Sequence, residues 1–257
     1  GIPNSTGEGE ADGLYLPYNY VANMLIDGKP LYANAKIMGD FAFNWMKSSH
    51  TLKIGAEWNL SKNLGDGQVY DTTRPLNTAS TTRPRSYNDI PARQDMSVYA
   101  EEQMRLPLGK HELFVSAGVR ANSLLGLSGN YAIQGKIYLD PRFNLKWQLP
   151  ALGTNKDWLI DISAGIGWLS KLPTTAQLYP DAKYVDVVQL NYYHNNADYR
   201  RINMMTYKWD NTNYDLKPAR NQKWEVRLNV AHKGNNFSIT SFQELMDNAL
   251  RDISYYQ

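Results

Sequence analysis

The stretch Lys136 to Leu149, KIYLDPRFNLKWQL, limits what this chain can fold into more than any other. Its odd positions are apolar: Ile137, Leu139, Pro141, Phe143, Leu145, Trp147 and Leu149. Its even positions are polar or amphipathic: Lys136, Tyr138, Asp140, Arg142, Asn144, Lys146 and Gln148. Successive side chains of a strand point to opposite faces, so this period of two predicts a β-strand with one greasy and one wet face. Globular strands usually run about 5–6 residues. Fourteen residues is enough to cross a bilayer, where a tilted strand needs about 9–11.

The same design recurs along the chain. Alternation predicts eight long strands at about 35–47, 50–63, 93–106, 111–124, 136–149, 157–168, 222–232 and 237–251. The last alternates poorly, and a bulge near Ser241 would account for it. Residues 1–34 read as loop, and 64–91 and 169–221 as two long loops. The connections therefore run short, long, short, medium, short, long, short. Short turns at one end and long loops at the other are the layout of an outer-membrane barrel, with turns in the periplasm and loops outside. The whole chain reads as one partial barrel domain over 1–257.

Composition narrows the functional classes. Lys+Arg 27 against Asp+Glu 25 leaves a net charge of +2, which gives no footprint for nucleic acid. There is no cysteine, so disulfides and thiolate metal sites are excluded. No apolar run reaches the length of a membrane helix, which leaves a strand-built barrel open. The first residues, GIPNSTGEGEADG, lack the basic and apolar regions of a signal peptide.

The tryptophans separate a membrane wall from a soluble sandwich, which also alternates. Six of the seven fall at apolar-face parity: Trp45, Trp58, Trp147, Trp158, Trp168 and Trp224. Trp45, Trp147 and Trp158 adjoin short turns; Trp168 and Trp224 adjoin a long loop. Trp158 and Trp168 share one strand and face. At about 3.3 Å per residue and a tilt of about 40°, their separation is roughly 25 Å, the height between the two aromatic girdles of a barrel. The girdle is thus assigned to Trp45, Trp147, Trp158, Trp168 and Trp224, with Trp147 at the periplasmic interface. Glu102 breaks the pattern, since it falls on the apolar face of its strand.

Several motifs resemble TonB-dependent outer-membrane receptors. They are Ser97-Val98-Tyr99-Ala100-Glu101-Glu102 with Gly118-Val119-Arg120; Asp140-Pro141-Arg142-Phe143-Asn144-Leu145; and Gly165-Ile166-Gly167-Trp168 leading to Leu172-Pro173 and Ala176-Gln177-Leu178-Tyr179-Pro180. Leu216-Lys217-Pro218 followed by Trp224-Glu225-Val226-Arg227-Leu228 is similar to a strand entry of that family, with Ala219 in place of the usual Glu and Arg227 in place of the usual Gly. The four stand in the family's order and span about residues 35–251. The Tyr- and Asn-rich loops resemble receptors of Bacteroides-type bacteria.

The resemblance implies a segment of a 22-stranded, antiparallel up-and-down transmembrane barrel in the bacterial outer membrane, serving nutrient uptake. It implies an N-terminal plug domain, absent from this sequence, energy from the inner-membrane TonB complex, and a possible surface lipoprotein partner. The nutrient stays open among iron chelates, cobalamin, oligosaccharides and peptides. The chain ends at Ile253–Gln257 without a closing strand that ends in an aromatic, so it reads as part of a barrel wall. Its two free edges are expected to pair with another copy or to aggregate without detergent.

No catalytic pattern stands out, so the chain is not expected to be an enzyme. His50, His111, His194 and His232 are scattered without metal-ligand spacing. Glu101 and Glu102 are adjacent and point to opposite faces, so they cannot act as a paired acid and base. There is no GxSxG, and GEGEADG follows no strand, so no cofactor is expected. What remains is binding. Tyr192, Tyr193, Tyr199, Arg200 and Trp209 in the second long loop are the ligand-contact candidates, since flat aromatic faces beside amides suit a sugar or a peptide. The same rings could instead pack the loop onto itself. Arg120, Asn122, Asp140, Arg142 and Lys146 lie on the wet face and are expected to face the lumen or the plug. A soluble or secreted β-rich carbohydrate-binding module is the alternative. A charge scan divides the two readings: arginine at Val119 or Leu145 should be severe in a barrel, and mild at Asn122 or Asn144.

Overall fold

The computed structural model describes residues 2, 4–77, 79–249 and 251. They pack as two compact units. One comprises Ala33–Leu60, Gln94–Pro173 and Asp215–Gln257; the other comprises Gly1–Tyr32, Ser61–Arg93 and Thr174–Tyr214.

The first unit is built on eight long strands: β3 (Pro30–Trp45), β4 (Ser48–Asn63), β6 (Arg93–Leu108), β7 (His111–Leu125), β8 (Tyr138–Gln148), β9 (Trp158–Lys171), β12 (Ala219–His232) and β13 (Asn235–Asp247). They form one antiparallel sheet in the order β13-β12-β9-β8-β7-β6-β4-β3, each strand beside its neighbour in the chain. Consecutive antiparallel strands need only tight turns, and residues 46–47, 109–110 and 233–234 supply them. Gly109 and Gly234 take the left-handed conformation that such turns require.

Register carries the period of two across the sheet. Leu106, Leu113 and Trp147 stand opposite one another, as do Ala100, Val119 and Pro141. Phe143, Ile166 and Trp224 continue the same face, as do Leu145, Ala164 and Val226. This face is exposed: Ile37 is 72% accessible, Phe41 55% and Ile239 56%. The deeply buried apolar residues of this unit lie mainly at the end of β7 and in the connection after it, at Leu124, Leu127, Tyr131 and Ile133.

The final hairpin needs no bulge at Ser241. β12 and β13 pair without a register shift from Arg220 opposite Asp247 to His232 opposite Asn235. β13 ends at Asp247; residue 250 and the terminal residues 252–257, on which the expected strand end and the missing closing strand fall, lie outside the described residues.

The three intervals expected to be loops carry strands of their own. β1 (Gly9–Gly13), β10 (Lys183–Tyr192) and β11 (Arg201–Trp209) form a three-stranded antiparallel sheet in the order β1-β11-β10. β2 (Met24–Asp27) pairs with β5 (Gly67–Tyr70), and a single helical turn, α1 (Thr175–Leu178), precedes β10. These strands are short and draw partners from distant sequence. GEADG of β1 has no strand propensity of its own, and β11 supplies its pairing. On β11, Ile202, Met204 and Thr206 are buried at alternate positions, which gives the second unit a core of the ordinary water-soluble kind.

Candidate functional site

Alternation puts all five wet-face candidates on one side of the eight-stranded sheet. Arg120 stands opposite Asp140, Gly118 opposite Arg142, and Phe114 opposite Lys146. Arg120 donates to Ser97 Oγ at 2.8 Å and to Asn122 Oδ1 at 3.0 Å, and lies 3.5 Å from Glu57. Asn122 donates to Asp140 Oδ2 at 2.7 Å, and Ser170 Oγ donates to the other carboxylate oxygen at 2.6 Å. Arg142 pairs with Glu101, and Lys146 lies 3.7 Å from Asp161. Asp140 and its donor Ser170 are buried, whereas the ion pairs, each with one well-exposed partner, contribute about 0–1 kcal/mol each. They define a polar surface rather than hold the sheet together.

Small residues leave room for these long side chains. A Cβ on Gly165 would meet Asn144 Oδ1 at 2.6 Å. Around it lies a hollow of about 430 Å³ lined by Gln103, Ser116, Asn144, Lys146, Ser163 and Glu225 among others.

The opposite face carries the tryptophans. Trp45, Trp147, Trp158 and Trp224 are exposed, at 64, 41, 42 and 36%, whereas Trp168 is half-buried. Glu102 lies on this face opposite Ala117, as its parity requires, while Glu101 lies on the wet face opposite Gly118. No local pattern pairs Glu102, and the fold supplies a partner. Its Oε1 is 2.7 Å from Nδ1 of the buried His50, whose Nε2 is 2.7 Å from Ser48 Oγ. The His50 ring stacks on Phe43 with centroids 4.9 Å apart. An acid on an apolar face is thereby hydrogen-bonded instead of isolated, which is the condition for burying it cheaply.

The loop candidates divide. Tyr192, Tyr193, Tyr199 and Arg200 gather at the β10–β11 hairpin, whereas Trp209 pairs with Lys183 at the far end of the same two strands. Arg200 is turned inward: its guanidinium lies 4.6 Å over the Tyr193 ring, and it donates to the carbonyls of His194 and Asn195. Tyr15 meets Tyr193 edge-on, and His194 meets Tyr199 edge-on. The cluster therefore packs the hairpin, while Tyr192, Tyr193 and Tyr199 still present half or more of their surface.

Sequence reasoning missed a second cavity in this unit. A cleft of about 480 Å³ is lined by Arg83, Arg85, Asp181, Tyr184, Lys208 and Asp210 among others. Arg83 is buried and holds Asp186 through both carboxylate oxygens at 2.7 and 2.8 Å, and Thr206 donates to the same carboxylate. Arg85 reaches Asp181 at 2.7 Å. Asp210 is held below the ordinary carboxylate range by hydrogen bonds from the Thr212 hydroxyl and backbone. Burial pushes the nearby Tyr179 phenol upward. Arg83 to Asp186 spans about a hundred residues, so no local pattern could have found it.

Comparison with known proteins bears on the whole assembly. The family model described as TonB dependent receptor-like, beta-barrel matches residues 4–256. The chain belongs to the TonB-dependent receptor-like β-barrel family. No curated protein and no solved structure matches it. Members of this receptor family are outer-membrane transporters rather than enzymes. The TonB-dependent receptor barrel accounts for a sheet that shows its apolar face outward, because lipid rather than a second sheet covers such a face. No helix among the described residues is long and apolar enough to cross a membrane, so any crossing falls to the strands. Among the described residues no group of three or more His, Asp or Glu is placed to hold a metal.

Proposed function

We propose that this chain forms part of the barrel wall of an energised outer-membrane transporter for a scarce nutrient, with residues 1–257 acting as a single barrel domain and its long intervals as outer loops. The observation that carries this reading is the eight-stranded sheet with exposed apolar side chains on one face and paired charges on the other. Arg120, Asn122, Asp140, Arg142 and Lys146 face the lumen and contact a plug domain, which the inner-membrane TonB complex moves. Trp45, Trp147, Trp158, Trp168 and Trp224 sit at the membrane interfaces. The exposed rings of Tyr192, Tyr193 and Tyr199 contact the nutrient, an iron chelate, cobalamin, an oligosaccharide or a peptide; Arg200 positions Tyr193, and Trp209 acts apart from them. The Tyr- and Asn-rich outer segments support a receptor of the Bacteroides type, with a surface lipoprotein as a further partner.

Uptake measurements test this reading. Cells expressing the full-length receptor should take up one of these nutrient classes, and a protonophore should abolish the uptake. Uptake indifferent to the protonophore, or a chain that stays a dilute, detergent-free monomer with native strand content, would overturn it.

A further inference from the structure

The four short connections between paired strands share a feature that barrel closure does not require. Each carries one lysine: Lys47 between β3 and β4, Lys110 between β6 and β7, Lys156 between β8 and β9, and Lys233 between β12 and β13. All four are exposed. Because the sheet is an antiparallel meander, all four connections emerge at the same end. Adjacent hairpins are two strands apart, so the lysines recur about every 10 Å along that edge.

Two of these lysines occupy backbone positions that disfavour them. Lys156 and Lys233 have φ of 54° and 45°, the left-handed region where glycine or asparagine is the usual choice. A lysine there is not explained by turn geometry. Among the described residues Lys47, Lys110 and Lys156 form no ion pair. Lys233 lies 3.6 Å from Asp157, which also meets His232 at 3.2 Å. The other acids near this end have partners within the sheet: Glu112 is held by Arg105, Asp161 by Lys146 and Asn229, and Glu102 by His50. The edge therefore has a surplus of unneutralised positive charge.

Just inside the lysines, the outward face carries histidine beside tryptophan three times. Trp158 stacks on His232 with centroids 4.0 Å apart, and Trp45 lies 6.4 Å from His50. Trp147 Nε1 donates to His111 Nδ1 at 3.2 Å. Tryptophan is the residue that settles at the headgroup level of a bilayer. Indole and imidazole thus lie together between the aliphatic band and the lysines.

We infer that this edge is a docking collar for the phosphate groups of phospholipids in the leaflet on the short-turn side, one lysine per hairpin with the tryptophans anchoring the acyl boundary beneath. Fixed phosphates at headgroup depth complement a row of cations of which, among the described residues, Lys233 alone has a protein counter-ion. The inference rests on the membrane-spanning reading of the sheet and adds a preference for anionic lipid that spanning alone does not demand.

The test inserts the full chain into vesicles of phosphatidylcholine mixed with phosphatidylglycerol, extracts it with mild detergent, and counts retained lipids by native mass spectrometry. Phosphatidylglycerol should be enriched about tenfold over its bulk ratio, and the enrichment should fall as salt is raised. The quadruple variant Lys47→Gln, Lys110→Gln, Lys156→Gln and Lys233→Gln should return to the bulk ratio. A charge-matched control, Lys29→Gln, Lys183→Gln, Lys208→Gln and Lys217→Gln, should retain the enrichment. Absence of enrichment in the unaltered chain, enrichment insensitive to salt, an unchanged quadruple variant, or equal loss in the control would each overturn the collar while leaving the barrel reading intact. If the quadruple variant does not insert, the salt dependence of the unaltered chain decides. A chain that inserts into neither vesicle and remains a soluble monomer would overturn the spanning reading, and the collar with it.

Discussion

The two units solve the problem of burial in opposite ways. In the unit built on β1, β10 and β11, the alternate residues Ile202, Met204 and Thr206 are buried, and a cation, Arg83, is enclosed with its carboxylate partner. In the eight-stranded sheet the alternate residues Ile37, Val119, Phe143 and Ile239 are exposed, and charged side chains occupy the other face. Both units use period two. The difference lies in what covers the apolar side: protein in the first case and lipid in the second. A strand pattern alone therefore reports which residues share a face, and the solvent must be inferred from what the other face holds.

The contrast can be broken most strongly at Arg83. Removing it with Arg83→Ala leaves the largely enclosed Asp186 with the Thr206 hydroxyl but no cation, a change that typically costs about 3–5 kcal/mol. The expected outcome is loss of amide protection on β1, β10 and β11 by hydrogen exchange, with the eight-stranded sheet still protected. If both units lose protection together, they are one cooperative body and the comparison fails.

Next in size is an arginine on the outward face. Val119 stands between Ala100 and Pro141 and is exposed. Val119→Arg should cost about 2–4 kcal/mol near the bilayer midplane, read from urea titrations of the chain folded in vesicles. Asn144→Arg, which replaces an exposed residue of the wet face, should be close to neutral. Asn122 is a poorer control than its polarity suggests, because it bridges Arg120 and Asp140. Equal costs at Val119 and Asn144 would remove the case for lipid on one side.

A smaller effect is expected where the outward face holds an acid, Glu102, among apolar side chains. His50→Leu would leave Glu102 without its donor, costing about 1–3 kcal/mol. Adding Glu102→Gln should recover much of that loss, since the neutral amide no longer places a charge against lipid. A double-mutant cycle measures the coupling. Additive costs would mean that His50 and Glu102 do not depend on each other.

These residues also mark how far sequence could reach. Seven of the eight strands were legible because each repeats the same alternation over 11–16 residues, more than enough to average out single exceptions, while the poorly alternating last one was legible mainly by its place after a hairpin turn. The shared face of Arg120, Asn122, Asp140, Arg142 and Lys146 followed from the same parity. Glu102 was legible as an exception but its partner was not, because His50 lies 52 residues earlier and pairing between strands is not written in local pattern. β1 was invisible for a similar reason: five residues, GEADG, acquire strand structure only against Ile202–Thr206. The loop aromatics could be named as candidates but not placed, since only the hairpin between β10 and β11 reveals that Arg200 turns toward Tyr193 and that Trp209 stands at the other end.

The smallest effect is a response to acid confined to the water-soluble style of packing. Asp27 closes the β2–β5 pair. Its Oδ2 accepts from Lys29 Nζ at 2.8 Å and from the Asp66 backbone N–H at 3.0 Å, and these bonds hold its carboxyl below the ordinary carboxylate range. A carboxylate whose folded value is depressed binds its proton more readily when unfolded. Its contribution is therefore complete above the ordinary carboxylate value and is lost as pH falls through the lowered one. The carboxylate is partly exposed to water, so the consequence is local: faster exchange of the Asp66 amide in acid, with the β6–β7 amides unchanged. Asp27→Asn should flatten that dependence, because the amide keeps an acceptor but cannot titrate. If the Asp66 amide responds to acid identically in the variant, the carboxylate is not what fixes this corner, and the acid sensitivity of the unit must be sought at Asp210 or Asp71, where threonine hydroxyls lower the carboxyl in the same way.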